Sequence, residues 1–273
     1  MKRIGAKTAL AIALALGGAV TMFPFAWMVL TAFKTNTEAM SPTISLFPAQ
    51  WQWHNFADTF RAAPFGVYFF NSFVVAVIVT VAVMLTSLMA GYAFARLEFP
   101  GRRVLFAMFL ATMMVPFEIA LIPNFVLIRS LGWYNTYAAL IVPWCANAFS
   151  IFLARQAFMR LPSDYFDAAR VDGCGHLRFL AWVAAPLVKP AVVTVALFAF
   201  LGSYNSLIWP LVVTSEENMR VVQVGLTVFS GAEGVEINLL MCASTIVILP
   251  TVALYFAAQR NFLEGALGSG IKG

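Results

Sequence analysis

Hydrophobic residues in this chain gather into six long blocks with short polar stretches between them. The blocks cover roughly residues 9–33, 67–94, 104–126, 137–158, 184–211 and 237–258. Each reaches or passes the ~20 residues that a helix rising 1.5 Å per residue needs to cross a hydrocarbon core. The pattern predicts an all-α membrane protein with six transmembrane helices. The first block follows Lys2, Arg3 and Lys7, as the apolar core of a secretory signal does. Such a core runs to only ~7–15 residues. This block continues through Phe23, Phe25 and Trp27 without a clear small-residue cleavage site, so it reads as a retained helix. The third block carries Pro116 and Pro123, which interrupt it. Residues 1–66 are expected to hold the first helix and an external segment containing Trp51 and Trp53, and residues 67–273 a five-helix core.

Composition agrees with the pattern. Hydrophobic residues make up 62% of the 273 and charged ones 11%, against about a quarter charged in soluble domains. The net charge of +5 has no bearing on nucleic acid, because the cations sit in short loops and set orientation instead. With the N-terminus inside, the inner segments hold Lys2, Arg3, Lys7, Arg96, Arg102, Arg103, Arg155, Arg160, Arg170, Arg178, Lys189, Arg260 and Lys272. The outer ones hold only Lys34, Arg61, Arg129 and Arg220, a split of 13 to 4. The positive-inside rule therefore predicts that both termini are cytoplasmic. Cys145, Cys174 and Cys242 are too scattered for a disulfide framework or a metal site. His54 and His176 are isolated and read as surface or loop residues.

The longest inner loop, about residues 159–186, contains a local signal. Pro162, Ser163 and Asp164 read as a helix start, Ser163 as its cap and Asp164 favoured at the positive end of the dipole. Asp167 and Arg170, three residues apart, can pair on one face. Ala168 and Ala169 leave a low surface, and Gly173 after Asp172 supplies a left-handed stop. A second short helix through Leu177, Phe179 and Leu180 is expected to end before Pro186. The result is a helix–turn–helix elbow at the inner membrane surface. On these residues alone two readings stand open: a connector lying on the headgroups, or a docking element for another body. The chain has no phosphate-binding loop, since none of its five lysines follows a glycine, and neither a zinc-protease helix nor a nucleophile elbow. Energy for transport must come from another polypeptide or from an ion gradient.

The run Asp167-Ala168-Ala169-Arg170-Val171-Asp172-Gly173-Cys174-Gly175, with Phe179, Pro186 and Pro190 after it, resembles the EAA loop of binding-protein-dependent ABC importer permeases. Asp167 stands where the family has Glu, and Cys174 where it has Ala. Asn71-Ser72, Gly91 through Arg102, Asn135-Thr136 and the C-terminal run from Gln259 to Gly273 resemble the carbohydrate-uptake branch and its maltose-G-type subunit. The resemblance covers about residue 67 to the end. It implies the type I importer permease fold and a bacterial or archaeal cytoplasmic membrane. The implied partners are a second permease subunit, two copies of a cytoplasmic ATPase that binds ATP and Mg, an extracytoplasmic solute-binding protein and a sugar-like solute. No cofactor is implied in this chain and no nucleic acid. Asp167, Ala168, Ala169, Arg170, Asp172, Gly173 and Cys174 would be the coupling segment that docks on the ATPase.

Other polar groups lie in or near the spans. Ser203 to Pro210 places hydroxyl, amide and aromatic groups in the fifth block, where polar side chains usually face a cavity or a partner. Tyr204, Asn205 and Trp209 either line the solute path or bond between helices within the permease pair. Glu118 sits either in the outer half of the membrane or already among headgroups, and takes no assigned role. The segment Gly231, Ala232, Glu233, Gly234, Val235 and Glu236 corresponds by position to the family's loop that reaches into the binding protein; a merely solvated loop is the other reading. The competing function class is an ion-coupled secondary transporter, which would favour intramembrane carboxylates and an inverted repeat. Only Glu118 comes near.

Overall fold

The computed structural model describes residues 2–231 and 234–268. α1 (Lys2–Ala32) leads to two short helices, α2 (Asn36–Ala39) and α3 (His54–Ala62), and then to α4 (Phe65–Arg96), α5 (Arg102–Thr112) and α6 (Phe117–Ser130). α7 (Tyr137–Ile141) runs through a 3₁₀ turn toward α8 (Ala148–Met159). α9 (Asp164–Val171) precedes α10 (His176–Phe179), a π turn and α11 (Ala185–Leu187). α12 (Lys189–Tyr204), α13 (Ile208–Val213) and α14 (Val222–Gly225) follow. Strands β1 (Ser230–Gly231) and β2 (Gly234–Val235) come before α15 (Ile237–Gly268).

Among the described residues, three stretches are long and apolar enough to span alone: Leu10–Ala32, Phe65–Arg96 and Ile237–Gln259. Three bent pairs bring the number to six if each is one span: Arg102–Thr112 with Phe117–Ser130 at 96°, Tyr137–Trp144 with Ala148–Met159 at 40°, and His176–Leu187 with Lys189–Tyr204 at 91°. Counted in that way the spans correspond to the six apolar blocks, and three of them are bent.

The breaks refine these expectations. Of the two prolines expected to interrupt the third block, Pro116 does so after Thr112, whereas Pro123 lies inside α6. Pro116 lacks an N–H and its ring disfavours helical backbone at Val115, so the chain turns before restarting at Phe117. Glu118 is an exposed first-turn residue of that new helix, so its depth does not follow from a continuous third span. In the fifth block, residues 184–187 belong to the elbow's second arm, and the bend falls at Val188, whose φ of −101° and ψ of 24° leave the helical region. Helix also continues through Pro186 rather than stopping before it, because Pro186 opens the short α11, where a missing N–H is tolerated. α12 then ends at Tyr204, so Asn205–Leu207 form a second break ahead of α13.

Packing divides the chain into two units. The first comprises the chain up to Gly66 together with Gly225–Pro250. Here the end of α1 is closed by Asn55, whose amide donates to the carbonyls of Ala32 and Lys34 at 2.8 Å each. Lys34 is buried, its ammonium donating to Ser45 O and lying 4.5 Å over the Trp27 ring. The Phe33 ring packs against Trp51, Trp53 and Phe56 at 4.7–5.2 Å.

The second unit comprises Val67–Val224 and the chain from Thr251 on. Val75, Val79 and Val83, spaced one helical turn apart on α4, face Ile128, Leu140, Val195, Trp209 and Val213 in its main core. At the start of α4, Asn71 donates to the carbonyls of Asn218 (2.8 Å) and Arg220 (2.9 Å) and accepts from the Tyr137 hydroxyl. Ser72 accepts from Val222 N at 2.7 Å. Asn135, at φ 61°, accepts from the N–H groups of Ser215 and Glu216. These three side chains hold residues 215–222, a segment with little regular structure of its own. Near the other end of α4, Gly91 lets α8 approach closely: a Cβ there would lie 2.7 Å from Ala154 Cβ and 2.9 Å from Arg155 N.

Candidate coupling elbow and interior cavity

α9 begins after Pro162. Ser163 occupies its cap position with helical backbone and makes no side-chain capping bond, contrary to the sequence expectation. Its carbonyl instead accepts from Phe166 N (2.7 Å) and Asp167 N (3.1 Å), which begins the helix without the hydroxyl. Asp164 and Asp167 lie in the first turn, where the helix dipole favours them. Asp167 and Arg170 do not form an ion pair among the described residues; the i,i+3 spacing allows one, but both side chains are exposed to competing solvent. The end of the helix is as expected and better defined. Gly173 adopts φ 70°, Gly173 N donates to Arg170 O (3.0 Å) and Cys174 N to Ala169 O (2.9 Å). This is a Schellman stop, and its usual apolar contact is present, because Ala169 and Cys174 both pack against the cluster beneath.

That cluster is built on Tyr92, Ala154, Phe158, Phe179, Leu180, Ala184 and Val188. Phe166 projects into it from α9, 4.4 Å from Phe179 and stacked on Tyr92 at 6.0 Å, centroid to centroid. Arg96, the last residue of α4, donates to the carbonyls of Phe158 (2.9 Å) and Leu161 at the end of α8. Its guanidinium also lies 4.3 Å over the Phe166 ring. A cation at a helix C-terminus is favoured by the dipole, and over an aromatic face by the ring quadrupole. Tyr92 and His176 share a hydrogen bond of 2.9 Å between the phenol oxygen and Nδ1. His176 is a surface residue, as its sequence surroundings suggested, but not an isolated one.

The coupling residues named from sequence separate into two groups. Asp167, Ala168, Arg170, Asp172 and Gly173 are exposed on the outer side of the elbow, joined there by the exposed Tyr165, Val171 and Leu177. Ala169 and Cys174 are half-buried and turned toward the cluster. Tyr92, Arg96 and His176 were missed as parts of this arrangement. The Gly91–Arg102 run flagged two of them by resemblance, but nothing local ties α4 to a histidine 84 positions away.

A cavity of about 310 Å³ lies within the second unit between α4, α8, α12 and α13. Its polar lining comes from Ser72, Asn147, Ser150, Ser203 and Ser206, and its aromatic lining from Trp144, Phe149, Phe198 and Trp209. Trp209 is buried with its indole N–H donating to Ala139 O at 2.9 Å and its ring edge-on to Trp144. Of the three path candidates only Trp209 borders this cavity. Tyr204 is buried in a stack with Phe200 at 5.6 Å, and Asn205 is exposed and accepts from the Gln223 amide at 3.3 Å. Around the break, Gly202, Ser203, Ser206, Trp209 and Pro210 line the cavity wall.

The segment 231–236 belongs to the first unit. β1 and β2 pair antiparallel, Ser230 opposite Val235 and Gly231 opposite Gly234, with Gly234 at φ 130°. Ala232 and Glu233 lie outside the described residues. Asn36 anchors the hairpin base, donating to Val235 O (3.2 Å) and accepting from Ile237 N (3.0 Å).

Broken spans around a partly polar cavity, with a stiff elbow projecting from the same unit, are the parts of a transmembrane transport subunit. The chain belongs to the family of binding-protein-dependent transport system inner membrane components, whose pattern matches residues 82–263. It is 34% identical to the arabinooligosaccharides transport system permease protein AraQ of Halalkalibacterium halodurans, over 93% of this chain and 92% of that one. It is 30% identical to the sn-glycerol-3-phosphate transport system permease protein UgpE of Yersinia enterocolitica, over 94% and 95%. Its fold matches a chain in the crystal structure of a bacterial ABC transporter involved in import of the acidic polysaccharide alginate, with TM-score 0.83 and 22% identity over 95% and 97% of the two chains. The protein is accordingly a permease subunit of an ABC importer in the inner membrane, and the ion-coupled alternative gives way. ATP hydrolysis belongs to a separate subunit of such systems, not to this chain.

Proposed function

We propose that this subunit imports a neutral sugar or short oligosaccharide, delivered by an extracytoplasmic binding protein, as one half of a permease pair seated on two copies of a cytoplasmic ATPase. The observation that carries the substrate class is the cavity: indole rings and serine hydroxyls line it, and among the described residues no charged one does. Apolar sugar faces stack on aromatic rings, and their hydroxyls need hydroxyl or amide partners. A phosphorylated or acidic solute would need a cation, so the chemistry of the cavity favours the relatives that carry oligosaccharides over those named for glycerol-3-phosphate or alginate. Its ~310 Å³ is at the small end of ligand pockets, ~300–1,000 Å³.

The elbow docks on the ATPase through Asp167, Ala168, Arg170, Asp172 and Gly173, while Ala169 and Cys174 hold its shape from within. Both termini and the elbow are cytoplasmic, in keeping with the 13-to-4 distribution of basic residues. The 231–236 segment, external by the same distribution of basic residues, is the part that touches the binding protein. A thermal-shift screen of that binding protein against neutral oligosaccharides, uronates and glycerophosphodiesters tests the substrate class. Stabilisation by a neutral saccharide is expected; stabilisation by phosphodiesters or uronates alone overturns it.

A further inference from the structure

We propose that Tyr92, Arg96 and His176 form a latch that converts movement of the elbow into movement of α4, acting as positioning residues in the transport cycle. This rests on the coupling reading of the elbow. Tyr92 and Arg96 stand one turn apart near the end of α4 and so share a face. Between them they reach every part of the elbow. Arg96 holds the entry through the carbonyls of Phe158 and Leu161, and the first arm through the face of Phe166. Tyr92 stacks on Phe166 of the first arm and bonds His176 of the second at 2.9 Å.

The rest of α4 is suited to transmit what the latch receives. It is one uninterrupted helix from Phe65 to Arg96, with no internal proline. From Tyr92 back to Asn71 it extends about 32 Å at 1.5 Å per residue. Along that length Val83, Val79, Val75 and Ser72 line the cavity wall. At its far end Asn71 and Ser72 hold the backbone of Asn218, Arg220 and Val222. A rod gripped by the elbow at one end, forming the cavity wall along its length and holding a loop at the other, moves all three together.

The apolar cluster alone would join α4 to the elbow, so the directional bond separates a latch from mere packing. Tyr92→Phe keeps every ring contact and removes one oxygen. The test uses the assembled importer, permease pair with ATPase, in proteoliposomes. A cysteine introduced at Ser206 on the cavity wall is labelled with a water-soluble maleimide, with and without Mg-ATP and vanadate, and labelling of the Ser206 parent is subtracted. In the parent latch, trapping is expected to change the labelling rate. Tyr92→Phe and His176→Ala should each shrink that change by about fivefold, the population factor of one lost hydrogen bond. The double variant should fall no further than either single one, because both remove the same bond, and His176→Gln should restore part of the response. The Tyr92 and His176 variants and their double should retain ATPase association and basal hydrolysis. A full labelling response in Tyr92→Phe and His176→Ala, or additive losses in the double variant, would overturn the latch while leaving the elbow assignment in place. Failure of the parent permease to associate with the ATPase would instead remove the elbow assignment, and the latch with it. Arg96→Ala is the harsher variant; if it does not assemble, the single-oxygen change in Tyr92→Phe still decides the matter.

Discussion

Replacing Gly173 by valine separates the shape of the elbow from its surface chemistry. Gly173 sits at φ 70°, and a Cβ built on it meets nothing within 4 Å. Steric room is therefore not at issue, and the whole effect lies in backbone conformation. A residue with a Cβ held in the left-handed region costs about 1–2 kcal/mol relative to glycine, and a β-branched one lies at the upper end or beyond. That is enough to lower the population of the observed elbow about 5–30-fold. The strain acts on the two bonds that close the helix, Gly173 N to Arg170 O and Cys174 N to Ala169 O. It also withdraws Cys174 and Ala169 from the cluster they pack against. Asparagine tolerates the left-handed region, so the expected order of damage is Asn, then Ala, then Val. The assay is copurification of the ATPase with the permease pair, together with ATP hydrolysis stimulated by loaded binding protein. Solute binding by the isolated binding protein should not change. Stimulated hydrolysis at the parent level in Gly173→Val would refute the coupling role. Equal damage from asparagine and valine would refute the conformational argument, since only the left-handed backbone distinguishes them.

Four further outcomes are expected. Gly91→Val should lower the midpoint of thermal unfolding in detergent by overpacking the α4–α8 crossing, at a cost of about 1–3 kcal/mol, because Ala154 Cβ and the Arg155 backbone leave a new Cβ no room; an unchanged midpoint would contradict the observed crossing. Asn71→Leu strands the carbonyls of Asn218 and Arg220 and the Tyr137 hydroxyl, about 1–3 kcal/mol for each group left buried, and limited proteolysis should cut within 215–221 sooner than in the parent. Ser203→Ala combined with Ser206→Ala should lower cellular uptake of the sugar that the binding protein retains, whereas Tyr204→Phe, away from the cavity, should not; the reverse order would move the path to the other side of α12. A cysteine at Asn218 should react with an impermeant maleimide in intact cells and one at Ser163 should not, and external labelling at Ser163 would invert the topology.

Span number was legible because a block of about twenty apolar residues has few alternatives to a membrane helix. Span shape was not. Pro116 is visible as a helix breaker, yet a proline can kink, end or merely begin a helix. Nothing in the local sequence separates a mild kink from the 96° turn observed there. Pro186 and Pro190 illustrate the same ambiguity from both sides: the chain bends at Val188 between them, while each proline lies in the first turn of a helix. Asn71 was legible only through the resemblance to the carbohydrate-uptake branch. Its role was hidden because its partners lie 147 and 149 positions away.

The elbow shows the same division at the scale of single residues. Its stop was readable because a Schellman turn is written in consecutive positions and demands a glycine where φ is positive. Its support was not readable, because Tyr92, Arg96 and Phe158 come from other helices. Only the folded chain reveals that the two departures from the family motif differ in kind. Cys174 faces the cluster, where a small, weakly polar side chain substitutes for alanine at the cost of a modest change in volume. Asp167 faces outward and is exposed, so nothing inside this subunit compensates for its being one methylene shorter than glutamate. If the motif's acid is read by a basic group on the ATPase, the shorter reach has to be made up on that partner's surface. Asp167→Glu should then weaken association with this ATPase, where a purely permissive position would accept either acid equally.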